Sequence, residues 1–145
     1  MFVVDTNVLV PAAAQVAAGH EVAARWLDDV RRGAERGFVT WPIVYEFLRV
    51  VTHRRVFAEP WTLHAALGFV DGLLAAPAFG VLVETPRHAA VLRGLEREYP
   101  RLAGSVIHDF HTVALMREHG VDTVYSADAH FRQFAHLRAV NPLAG

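Results

Sequence analysis

The sequence predicts a three-layer α/β/α sandwich built on a mainly parallel sheet of four or five strands. Two observations lead there. Short, unbroken apolar runs rich in β-branched residues recur along the chain, as the buried strands of a parallel sheet do. Between them lie longer stretches whose apolar residues fall on a helical period, and that alternation places helices on both faces of the sheet. With 145 residues, the chain is expected to form one domain over 1–145. A fold of this size buries about two-thirds of its unfolded surface and builds a core unaided.

Each element has its own signal. Phe2-Val3-Val4 is a first buried strand. His20 to Arg32 sets Val22, Trp26 and Val30 on one helical face, with arginines at its end and Gly33 beyond, a helix stop. Phe38-Val39-Thr40 is a second strand, and Pro42 is placed to open the next helix, through Ile43, Phe47, Val50 and Val51. Pro60 opens another, through Leu63, Leu67, Val70 and Leu74. Phe79 to Val83 is a third strand. Pro86 opens a helix ending near Tyr99, and Ser105 to His119 is a long helix closed by Gly120. Thr123-Val124-Tyr125 is a fourth strand and Leu137 to Val140 a weak fifth. The apolar stretch Trp61 to Ala76 is either core or a contact for a second copy or a partner.

Composition removes several chemistries. There is no cysteine, hence no disulfide, thiolate zinc site, iron–sulfur cluster or cysteine nucleophile. All 14 basic residues are arginine, which excludes a phosphate-binding P-loop lysine and Schiff-base chemistry. The net charge of −1 provides no general basic field, so any nucleic acid must be held by local arginines. No apolar run reaches about 18 residues, the length needed to span a bilayer, and Met1 to Asp5 lack the basic start of a leader. A cytoplasmic domain without membrane attachment is expected.

Most of the 15 acids sit beside arginines on polar faces. Asp28, Asp29, Glu96, Glu98 and Glu118 are expected to be solvated charges. Four acids differ. Asp5 and Asp128 follow strands at their carboxyl ends, where ligands bind in such sheets. Glu46 shares a helical face with Ile43 and Val50, and Asp109 with Val106, Val113 and Met116. Each also has an ordinary role open to it: a helix cap for Asp5, a buried arginine partner for Glu46 or Asp109, a turn for Asp128. Asp71 also shares an apolar face, yet no chemistry is assigned to it. Carboxylates gathered at one site repel one another unless protonated or neutralised by a cation. Oxygen donors without cysteine favour Mg²⁺ or Mn²⁺, which activates water and stabilises charge on phosphate oxygens.

These residues resemble a known family. Asp5-Thr6-Asn7 after an apolar strand, Glu46 in an apolar helix, His108-Asp109 before Val113-Ala114-Leu115, and Ser126-x-Asp128-x-x-Phe131 are similar to the PIN domain, and more closely to the VapC toxins of type II toxin–antitoxin modules. Smaller signatures agree: Glu46 to Thr52, Arg55-Val56-Phe57, and the ending Leu137 to Leu143. The resemblance implies an endoribonuclease dependent on Mg²⁺ or Mn²⁺, with Asp5, Glu46, Asp109 and Asp128 lining the catalytic site. Asp5, Asp109 and Asp128 would be the metal ligands, and Asn7 and Ser126 polar support. It further implies structured RNA such as tRNA or rRNA as substrate, a homodimer, and a VapB-type antitoxin as inhibitor. One position departs: many relatives carry an acid where His130 stands, which bears on a second metal position. His130 is then either a phosphate contact or a surface residue.

Arg49, Arg54 and Arg55, with His53, follow Glu46 and are candidates to hold RNA phosphates; a solvated cationic helix end is the ordinary alternative. His108 and His111 share a helix at three-residue spacing, but no His-Glu-x-x-His supports zinc there. With only Ser105 and Ser126, and no Gly-x-Ser-x-Gly, a serine hydrolase is excluded. The competing reading is a catalytically weak PIN-like module that binds RNA or protein without cutting. A PIN-like nuclease acting on DNA flaps or in RNA processing is a third.

Overall fold

A computed structural model describes residues 1–145. In chain order the elements are β1 (Phe2–Val4), α1 (Thr6–Ala13), α2 (His20–Arg32), β2 (Gly37–Thr40), α3 (Trp41–Val51), α4 (Leu63–Ala75), β3 (Phe79–Leu82), α5 (His88–Glu98), α6 (Val106–His119), β4 (Thr123–Tyr125), a 3₁₀ turn (Ala129–Gln133) and β5 (Arg138–Val140). The five strands pair in parallel in the order β3-β2-β1-β4-β5. Two helices fill each of the first three crossovers, so six helices flank the sheet. The predicted sandwich is the observed one, and its sheet has five strands.

Two helix starts differ from expectation. The fourth helix begins at Leu63, capped by Thr62 Oγ1 on the Ala65 N–H at 3.1 Å; Pro60 and Trp61 belong to the approach. The fifth begins at His88, two residues beyond Pro86. Helix α1, open in the sequence only as the helix that Asp5 could cap, forms over Thr6–Ala13 with Pro11 inside it. Helix α4 buries Ala66, Val70 and Leu73 but leaves Leu63 and Leu67 exposed, so the Trp61–Ala76 stretch is core on one face only.

One core of 30 buried apolar residues holds the layers together. Phe2 is its aromatic centre, packed edge-on against Phe79 and Tyr125, with ring centroids 6.1 and 5.2 Å away, an arrangement favoured by the ring quadrupoles. Gly37 makes this packing possible: a Cβ there would lie 2.7 Å from the Phe2 ring and 2.8 Å from the Phe79 ring.

The topology also selects the site. The chain leaves β1 in one direction to β2 and β3, then returns to build β4 and β5 on the other side. The order therefore reverses between β1 and β4, and the crevice beyond their carboxyl ends is the expected ligand position in an open parallel sheet. Asp5 follows β1, and Ser126 and Asp128 follow β4.

Candidate active site

Asp5 sits where β1 turns into α1. Its Oδ1 accepts the Thr6 N–H at 2.8 Å and caps the helix, so the ordinary role and the site role coexist on one side chain. Its second oxygen faces the crevice and accepts the Ser126 hydroxyl at 2.8 Å. Ser126 is a buried hub, 2% exposed. Its oxygen also accepts from Asn7 Nδ2 at 3.0 Å and from the Asp128 N–H at 3.0 Å. Asn7 Oδ1 in turn accepts the Ala127 N–H at 2.9 Å. Two residues at strand ends, Asp5 and Asp128, are thus locked together through one hydroxyl.

Asp128 caps the 3₁₀ turn by accepting the His130 N–H at 2.9 Å, again combining a turn role with a place in the site. His130 is exposed, as its surface reading expected, and it also meets the site. Its Nδ1 lies 3.1 Å from Asp128 and 3.6 Å from Asp109. It stands between two carboxylates and bridges β4 to α6. Asp109 projects from the first turn of α6 and is half-buried.

The electrostatics follow from this crowding. Burial pushes the Asp109 carboxyl up to about 6, with the charges of Asp5 and Asp128 adding to the rise and His130 opposing it. Burial also raises Asp5; hydrogen bonds from Ser126 and Thr6 oppose the rise, and the Asp128 charge reinforces it. Negative charge here is costly in the protein alone.

Glu46 departs from the sequence reading. It lies outside the core, nearly half exposed, and forms a two-pronged pair with Arg49 at 2.6 and 2.9 Å. Those hydrogen bonds hold its carboxyl below the usual range. Even so, it shares a groove of about 1050 Å³ with Asp5, Asn7, Tyr45, Arg49, His108 and Asp109. Arg54 and Arg55 lie in the turn after α3, exposed and outside that lining. His108 also lines the groove.

Glu118 is a second correction. It is buried, not a solvated charge: its carboxylate takes Thr85 N–H and Oγ1 at 3.0 and 2.8 Å and His88 Nδ1 at 2.6 Å. Burial raises its pKa, but these hydrogen bonds outweigh it and leave the group below its ordinary value. By contrast Asp28, Glu96 and Glu98 pair with Arg32, Arg93 and Arg117 at the surface, as expected.

Residues 2–137 match the PIN domain family. Ribonuclease VapC43 of Mycobacterium tuberculosis is 37% identical over 145 residues, covering 100% of this chain and 97% of that protein. Among solved structures, the fold is similar to that of Mycobacterium tuberculosis VapC20, a Sarcin-Ricin loop cleaving toxin, with a TM-score of 0.64 and 18% identity over 92% of this chain and 95% of that one. It is equally similar to VapBC2 from Rickettsia felis bound to a DNA fragment from its promoter, with a TM-score of 0.66 and 12% identity over 97% of both chains. On the family match and the identity to VapC43 together, the chain belongs to the PIN domain family and, within it, to the VapC group.

Proposed function

We propose that this protein is a metal-dependent endoribonuclease that hydrolyses phosphodiester bonds in structured RNA, of the tRNA or rRNA kind. It works as one cytoplasmic domain, as a homodimer, and is silenced by a VapB-type antitoxin. The observation that carries the reading is the linkage of Asp5 to Asp128 through Ser126 and of Asp128 to Asp109 through His130 at the switch point, with Asp5 and Asp109 on the wall of an open groove. Identity to a named ribonuclease supports RNA as substrate, and the VapBC2 assembly supports an antitoxin partner. No helix is long and apolar enough to cross a membrane.

The donor set fits Mg²⁺ or Mn²⁺. It consists of carboxylate oxygens, without thiolate, and burial already disfavours leaving Asp5 and Asp109 charged and unaccompanied. The acids do not close into a tight chelate, which suits an ion that takes only one or two carboxylates and keeps its waters. Asp5, Asp109 and Asp128 would hold the ion, with Glu46 as the fourth acid of the site. When bound, such an ion activates water and neutralises charge developing on phosphate oxygens.

The chain's own residues do the rest. Ser126 holds one Asp5 oxygen and the Asp128 N–H, and Asn7 holds Ser126 and the Ala127 N–H. His130 Nδ1, 3.1 Å from Asp128 and 3.6 Å from Asp109, would tie the 3₁₀ turn to α6 and hold the two acids side by side. Arg49, exposed beside Glu46, is placed to hold a phosphate of the RNA backbone. Arg54 and Arg55 are secondary candidates farther along the same segment.

The test is cleavage of a structured RNA pool with Mg²⁺ or Mn²⁺, with chelator, and with Asp5→Ala. Cleavage that needs the ion and is lost in the variant supports the reading. Cleavage indifferent to chelator, or full activity of Asp5→Ala, overturns it. A second reading, a binding module that does not cut, draws on His130 lying between Asp109 and Asp128; RNA binding without products in every metal would favour it.

A further inference from the structure

Away from the carboxylate groove, three side chains from three elements gather metal-ligating atoms closely. Glu84 follows β3, His88 is the first residue of α5, and His111 lies midway along α6. A Glu84 carboxylate oxygen and one ring nitrogen from each histidine all lie within 4.8 Å of one another. No other group of three or more histidine or acidic residues in the chain comes so close. We propose that Glu84, His88 and His111 form a zinc site, with Glu118 as the buried carboxylate that orients His88.

The second carboxylate is what separates this cluster from a chance meeting. Glu118 has no exposed side-chain surface, and its Oε2 lies 2.6 Å from His88 Nδ1. Its other oxygen is anchored by Thr85 N–H and Oγ1. This fixes the His88 ring and leaves Nε2 free for an ion. A carboxylate holding the far nitrogen of an imidazole is the common support of zinc-bound histidine.

His111 offers its Nε2 to Glu84 at 2.8 Å, while its Nδ1 is buried with no hydrogen-bond partner. An unmet buried nitrogen is unfavourable; the Nε2 contact with Glu84 is the side-chain hydrogen bond that this ring makes. The two rings lie 5.9 Å apart and inclined at 68°, converging without stacking. Arg87, the nearest cation on the same segment, directs its guanidinium to the Glu118 main-chain oxygen, away from the cluster. The two carboxylates, Glu84 and Glu118, match the charge of one divalent ion.

Two imidazoles and a carboxylate are a donor set that zinc accepts in tetrahedral geometry, leaving one position for water. The half-exposed Glu84 keeps that position open to solvent. Among divalent ions, imidazole donors favour zinc over Mg²⁺ or Mn²⁺. The cluster is separate from the groove: Asp109 and His111, two residues apart on α6, point about 200° apart around the helix axis. A bound ion would staple the segment after β3 and the start of α5 to the helix that carries Asp109.

The test uses the full chain stripped of metal, titrated with Zn²⁺ against a competing chelator. Co²⁺ absorption in the visible range reads the geometry. The expected result is one zinc per chain, an intense tetrahedral Co²⁺ band, and a rise in melting temperature on adding zinc. These should persist in Asp5→Asn, which alters the groove. Glu84→Gln and His88→Gln should each weaken zinc binding at least tenfold and remove the Co²⁺ band; Glu84 is exposed, so its replacement leaves folding intact. Absence of stoichiometric zinc in the parent protein would overturn the proposal. So would zinc binding that disappears in Asp5→Asn yet survives in Glu84→Gln and His88→Gln.

Discussion

Replacing Asp109 by Asn should make the metal-free protein more stable above pH 6, although it removes a charge at the candidate active site. The Asp109 carboxyl is raised from 3.8 to about 6, first by burial and then by the charges of Asp5 and Asp128. A carboxyl whose pKa rises on folding holds its proton more tightly in the native state. Between the two values the native state binds more protons than the unfolded chain, and stability falls as pH rises. At 1.36 kcal/mol per pH unit, the full interval corresponds to about 3 kcal/mol. The side chain keeps 20% of its surface exposed, and solvent screening reduces this to about 1–2 kcal/mol. Asn keeps the shape and has no charge to impose. Denaturant unfolding in chelator should therefore show a gap in favour of Asp109→Asn. It should widen from about pH 4 to about pH 6.5 and then level off. Adding Mn²⁺ should narrow or reverse the gap, because the ion stabilises only the carboxylate protein. A variant equally or less stable at every pH, with a gap that does not change, would refute the electrostatic reasoning.

Other outcomes follow from single contacts. Ser126→Ala leaves the Asp128 N–H without its acceptor and removes the hydroxyl from Asp5; denaturant unfolding should show a loss of about 1–3 kcal/mol, and RNA cleavage should fall with it. Gly37→Ala forces a methyl against the Phe2 and Phe79 rings and should cost about 1–3 kcal/mol; an unchanged melting temperature would contradict the packing described. Glu118→Ala strips the acceptor from Thr85 and His88 in a buried site and should cost about 3–5 kcal/mol. The Glu118 contribution has the opposite pH sense to Asp109. Its folded pKa is lowered, so its stabilisation is present above 4.5 and declines as pH falls through the lowered value.

The first strand was legible because Phe2-Val3-Val4 is a short apolar run with nothing polar to disguise it, whereas β5, which opens on Arg138, read only as a weak strand. Asp5 stood out for the same reason, as a carboxylate directly after such a run; Asp128 comes three residues beyond the end of β4. Glu46 was misplaced because helical spacing to Ile43 and Val50 says which side a residue shares, but not that Arg49, one turn on, draws it outward. Glu118 was misjudged for the opposite reason. Helix α6 buries Thr112 through Met116 as well as Glu118, so it has little polar face, and a wheel drawn on its charges misleads. His130 and His88 owe their places to contacts 21 and 30 residues away in the chain, which no local pattern encodes.

The account rests on carboxylates distant in sequence forming one cation-binding surface, and Mn²⁺ titration calorimetry addresses it most directly. The prediction is a saturable Mn²⁺ site in the parent protein, retained in His88→Gln and abolished in both Asp5→Asn and Asp109→Asn. Mn²⁺ binding that is absent from the parent, or unaffected by removing these two charges, would contradict it.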